Sequence, residues 1–68
     1  MDIPLPEITR QVRLQWQLDE ARAAAAVERA MAGLGVVPRK KLLGGKVVSG
    51  EEYRMVLDWL NANGPGAG

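Results

Sequence analysis

Cysteine and histidine are both missing from this chain of 68 residues. Their absence excludes disulfides, thiolate nucleophiles, zinc-finger ligand sets and imidazole acid–base work together, so neither a metal nor a cofactor is expected. Aromatic residues are few: Trp16, Tyr53 and Trp59 are the complete set. No stretch approaches the roughly 18 apolar residues that a membrane span needs. The first residues also lack the basic start and long apolar run of a signal peptide. The expected setting is the cytoplasm, with no membrane partner. A chain this short forms one domain with a marginal core, and without disulfides or metal it must rely on good helix packing or on association with another chain.

Strong net charge is absent too. Nine basic and eight acidic residues leave +1, too balanced to advertise nucleic acid or an anionic membrane. The distribution is more informative. Residues 1–35 carry net −1, residues 36–48 carry +4 from Arg39, Lys40, Lys41 and Lys46, and residues 49–68 carry −2. Heavy use of Ala, Gly and Arg fits a GC-rich bacterial or phage gene.

Pro4 and Pro6 forbid an earlier helix, but Pro6 suits the first helical position. Glu7 then meets the positive end of the helix dipole. No proline or glycine follows until Gly33, and strong helix formers dominate, so a single long helix is predicted over 6–33. Gly33 and Gly35 flank Leu34 as at a helix end closed by a left-handed glycine. At about 100° per residue, Ile8, Val12, Trp16, Ala23, Ala26, Val27, Ala30 and Leu34 form one apolar band. Leu14, Leu18, Ala21, Ala25 and Ala32 form a second. One face can be covered within a small monomer; the other is expected to meet a second chain. Asp19 lies within the main band and needs a partner, either Arg22 or a basic group across an interface.

The connector, 34–48, admits two readings. Pro38 can open a short helical turn over 39–43, the preferred one, or residues 41–43 and 46–48 can pair across Gly44-Gly45 as a small β-hairpin. The second helix, within 49–63, is better marked. Ser49 and Glu52 have capping-box spacing, Val48 and Tyr53 stand as a hydrophobic staple, and Asn63-Gly64 ends it. Tyr53, Val56, Leu57 and Leu60 make one band and Met55, Trp59 and Ala62 another. Residues 64–68 read as a flexible tail.

No catalytic constellation stands out. Asp19-Glu20 and Glu51-Glu52 are adjacent on helices, point about 100° apart and do not converge on one atom. Gly44-Gly45-Lys46 ends like a phosphate-binding loop, but Lys40 stands where the loop's first glycine belongs and Val47 where its Ser or Thr belongs. Arg39, Lys40, Lys41 and Lys46 are the candidate contact to a charged partner, a protein's acidic patch ranking ahead of nucleic acid. A helix-turn-helix using 49–58 for recognition would lead with Glu51 and Glu52, which phosphates repel. Trp and Tyr are enriched among residues that dominate binding, and the candidate protein interface is Leu14, Leu18, Ala25, Met55 and Trp59.

The expected fold is therefore mainly all-α, a helical hairpin whose long and short helices are joined by the basic connector, completed by self-association with a dimer favoured. The expected function is noncatalytic: a protein-interaction module, such as an adaptor, assembly factor or inhibitor, bound to a larger protein. The alternative is a small dimeric DNA-binding regulator that uses the connector.

Overall fold

The computed structural model describes residues 1–41 and 44–65. Its elements run β1 (Asp2–Pro4), α1 (Leu5–Trp16), α2 (Glu20–Leu34), β2 (Arg39–Lys41), β3 (Gly44–Ser49) and α3 (Gly50–Asn63). Three helices and a three-stranded antiparallel sheet of order β1-β3-β2 thus make up the described residues. This corrects the expectation of an all-α helical hairpin in two places.

The first correction concerns the long helix, which breaks between Trp16 and Glu20. Gln17 adopts the left-handed conformation at φ 55°, ψ 51°, and its N–H bonds back to the carbonyl of Arg13, as does that of Leu18. Asp19 then caps α2, its carboxylate accepting the N–H of Arg22 at 2.8 Å. The bend turns α2 back so that Ile8 and Val12 of α1 share one buried cluster with Ala23, Ala26, Val27, Ala30 and Met31 of α2, with Leu18 packed against it. The small alanine side chains let the helices approach closely. Leu18 thereby leaves the second apolar band and joins the core's margin.

The second correction is the connector. Arg39–Lys41 is strand, not helical turn, and pairs with β3 through Arg39↔Val47, Lys40↔Lys46 and Lys41↔Gly44, with a register shift between Lys40 and Lys41. A hairpin therefore forms with Gly44-Gly45 inside its second strand; Leu42 and Leu43 lie outside the described residues. A lone two-stranded hairpin is marginal. Here β1 supplies a third strand through Asp2↔Ser49, Ile3↔Val48 and Pro4↔Val47, and Met1 extends the tie by accepting the Gly50 N–H at 2.9 Å.

α1 and α3 both pack on α2 and on strands β1 and β3. The fully buried Ile8, Val12, Val48, Val56 and Leu60 come from three different elements, α1, β3 and α3, and tie helices and sheet into one core. Each contributes roughly 1.5–3 kcal/mol by burial. Both ends of α3 lie where expected. Glu52 accepts the Ser49 N–H at 2.8 Å while Ser49 Oγ accepts the Glu52 N–H at 3.1 Å, completing the capping box. Gly64 closes the helix with its N–H on the Leu60 carbonyl. Gly35, at φ 74°, closes α2. Of the expected tail, Pro65 is held by Arg29, which donates to its carbonyl at 2.6 Å; residues 66–68 lie outside the described part.

Candidate nucleic-acid interface

The break at 17–19 produces two helices joined by a three-residue turn, the spacing of a helix-turn-helix. Along the outer side of this pair runs a groove lined by Leu5, Pro6, Thr9, Arg10 and Arg13 of α1 and by Asp19, Glu20 and Ala24 at the start of α2. The end of the hairpin forms a neighbouring surface, where Lys41, Gly44, Gly45, Lys46 and Val47 meet Pro4 and Pro6. Pro6 lines both, so the two surfaces adjoin at that residue.

The four basic connector residues separate into two kinds. Arg39 is tied internally, its guanidinium 3.6 Å from Asp2 Oδ1 and 3.3 Å from Glu52 Oε1. It thereby links an edge strand to the start of β1 and to the first turn of α3. The Ser49 N–H, and after it the charge of Arg39, holds the Glu52 carboxyl below its ordinary pKa. Lys40, Lys41 and Lys46 are exposed and have no ion pair among the described residues. Lys40 and Lys46 stand directly opposite each other across the ladder, and like charges so placed are destabilising. Lysine on an edge strand also discourages pairing with other chains. Lys40 and Lys41 serve that purpose on β2 alone, and it does not call for a third lysine facing them.

Arg10 and Arg13 likewise have no ion pair among the described residues. These two were not among the candidate residues from sequence, because a continuous helix would have placed them on a plain solvated border. The signal that could have found them was Asp19. Its anomalous place in the apolar band is explained by its being an N-cap, and an N-cap there starts a second helix. Asp19 and Glu20 put negative charge in the groove wall opposite Arg10 and Arg13; both sit at the positive end of α2, and Asp19 pairs with Arg22 at 3.9 Å.

The five residues chosen as a protein interface are spread over the three helices and the α1–α2 turn. Leu18 and Trp59 are half-buried against the core. Leu14 is 57% and Met55 43% exposed, and with the exposed Ala25 they lie on three different helices. No helix among the described residues is long and apolar enough to cross a membrane.

No protein-family model, curated protein or solved structure matches this chain.

Proposed function

We propose that this chain is a small noncatalytic nucleic-acid-binding module in which α1 and α2 act as a helix-turn-helix and the β2–β3 hairpin as a basic flap beside it. The observation that carries the reading is that the α1–α2 groove, with Arg10 and Arg13, adjoins at Pro6 the hairpin end that bears Lys41 and Lys46, all four without an ion pair among the described residues. The earlier objection, acids leading the recognition helix, passes to Asp19 and Glu20 at the start of α2 and no longer concerns Glu51 and Glu52. Those acids head α3, and Glu52 is engaged with Ser49 and Arg39, whereas the helix following the turn is α2. In a helix-turn-helix the second helix enters the major groove by its N-terminal residues. On α2 the exposed residues there are Glu20, Ala21, Arg22, Ala24 and Ala25. Alanine can meet a thymine methyl but carries no hydrogen-bond code, so phosphate contacts from Arg10, Arg13 and the three lysines supply most of the affinity and sequence preference is modest. The setting proposed with this reading is the cytoplasm.

Fluorescence anisotropy with a labelled DNA duplex tests this. Binding falls as salt rises, by about 0.9 log units per log unit of salt for each phosphate neutralised. Replacing Lys40, Lys41 and Lys46 together by alanine weakens binding and flattens that slope, while the conservative arginine variants retain it. An absence of binding at low salt, or an unchanged slope in the alanine variant, overturns the reading.

A second reading, association with a second copy or docking on a larger protein as an adaptor or inhibitor, is favoured by Leu14, an exposed leucine on a helix whose other face is fully packed. The two readings are compatible in a dimeric regulator.

A further inference from the structure

β2 is an exposed edge strand paired with β3, and so short a strand at a sheet edge opens at little cost. Two opposed forces act on it. Successive side chains of a strand alternate between the two faces of the sheet. Lys46 therefore shares a face with Val48, which belongs to the common core, and Lys40, opposite Lys46, stands on that face as well. Their repulsion pushes the two strands of the flap apart. Arg39 is opposite Val47 and Asp2 opposite Ser49, so Arg39 and Asp2 share the other face, on the two outer strands. The Arg39 guanidinium crosses the middle strand to Asp2 Oδ1 at 3.6 Å and reaches Glu52 Oε1, on the first turn of α3, at 3.3 Å. The same Glu52 oxygen accepts the Ser49 N–H, which anchors the far end of this strap in a helix cap. Arg39 thus ties the flap to β1 and α3 on one face while the lysines load it on the other.

We propose that Arg39 is a positioning residue for nucleic acid: its strap holds the lysine-bearing flap at a fixed place beside the α1–α2 groove, and the module thereby selects double-stranded over single-stranded DNA. The proposal rests on the nucleic-acid reading above and adds the form of the ligand. Phosphates of a duplex keep fixed positions. Arg10 and Arg13 on α1 and Lys41 and Lys46 on the flap therefore engage one duplex together only when the two sets of charges are held in register. A single strand is flexible and follows charges wherever they lie, and the proteins that bind it add aromatic platforms for its bases. Trp16, Tyr53 and Trp59 are instead packed against the core. Exposed ion pairs add little to global stability. The strap, half-exposed at Arg39 and Asp2, accordingly acts on the place of the flap and not on whether the chain folds.

Asp2→Asn separates this role from simple charge. It removes a negative charge, which by itself strengthens binding to any polyanion. Anisotropy is measured with a labelled duplex and with one of its strands alone, at the same salt concentration. Wild type is expected to prefer the duplex. In Asp2→Asn, with circular dichroism unchanged, duplex affinity is expected to fall about threefold or more while affinity for the single strand holds or rises; Asp2→Glu restores the preference. No binding of wild type to duplex overturns the nucleic-acid reading and the role of the strap together. A wild type that binds both forms equally overturns the role of the strap alone. So does a folded Asp2→Asn that keeps or gains duplex affinity, or that loses affinity for both forms alike. Should Asp2→Asn unfold, Arg39→Lys decides: it keeps the positive charge but lacks the planar fork that spans two carboxylates, and an undiminished preference for duplex overturns the proposal.

Discussion

The indole of Trp59 closes over Gly33 so tightly that a Cβ placed on Gly33 would stand 2.9 Å from both Nε1 and Cζ2. Glycine near the end of α2 is therefore not merely a helix terminator: its bare backbone is the seat on which α3 docks. Gly33→Ala gains about 1 kcal/mol in helix propensity but drives a methyl into a rigid ring. The expected net result is a loss of about 1–2 kcal/mol in urea unfolding, with a changed tryptophan fluorescence. A stabilised Gly33→Ala variant would show that the contact gives way easily.

The αL residue at the α1–α2 turn is a glutamine, and a residue with a Cβ in that conformation costs roughly 1–2 kcal/mol. Gln17→Gly removes that strain at some expense in unfolded-chain entropy. It should raise stability by about 0.5–1 kcal/mol, with a melting temperature higher by a few degrees. Gln17→Val, β-branched, should be clearly destabilising. Were the chain a continuous helix across this point, the order of the two variants would reverse, so thermal unfolding of the pair tests the break directly.

Glu52 titrates below its ordinary value because the Ser49 N–H and then Arg39 favour its charged form. A carboxyl with a lowered folded-state pKa contributes stability that is present above the unfolded value, about 4.3, and is lost as pH falls through the lower folded value. Glu52→Gln should therefore be less stable than wild type at neutral pH. The gap should shrink once the pH drops below about 4. A gap that is independent of pH would place the effect in the cap's neutral hydrogen bonds alone.

Lys40 and Lys46 oppose each other in the hairpin ladder. Lys46→Thr removes the repulsion and substitutes a better strand former, which should leave stability unchanged or raise it by up to about 1 kcal/mol. The same change should weaken binding to duplex DNA. Chemical denaturation and anisotropy on one variant thus read two effects of opposite sign. Improved stability with unaltered DNA binding would mark the lysines as plain edge protection.

Local signals were legible in the sequence wherever the interaction is made within a few residues. Ser49 and Glu52 announced the start of α3, Gly35 the end of α2 and Gly64 the end of α3, because caps are closed by neighbouring backbone groups. The buried face of each helix was legible for the same reason: Ile8 with Val12, Ala23 with Ala26 and Val27, and Val56 with Leu60 follow from helical periodicity. The turn at 17–19 was not. Gln17, Leu18 and Asp19 contain neither glycine nor proline, so propensity alone favours a continuous helix.

The sequence by itself determined the caps, the apolar stripes, the exclusion of cysteine and histidine chemistry and the gathering of basic charge at 39–46. Only the tertiary structure decided that α1 and α2 are separate, that residues 39–41 and 44–49 form strands, and that Arg39 is a clamp while Lys40, Lys41 and Lys46 face solvent. The physical reason is reach. A cap or a stripe is settled by groups a few residues apart. The break at Gln17 is favourable only once Leu18 finds the common core. The hairpin is stable only once β1, more than forty residues away in the chain, lies along its inner strand.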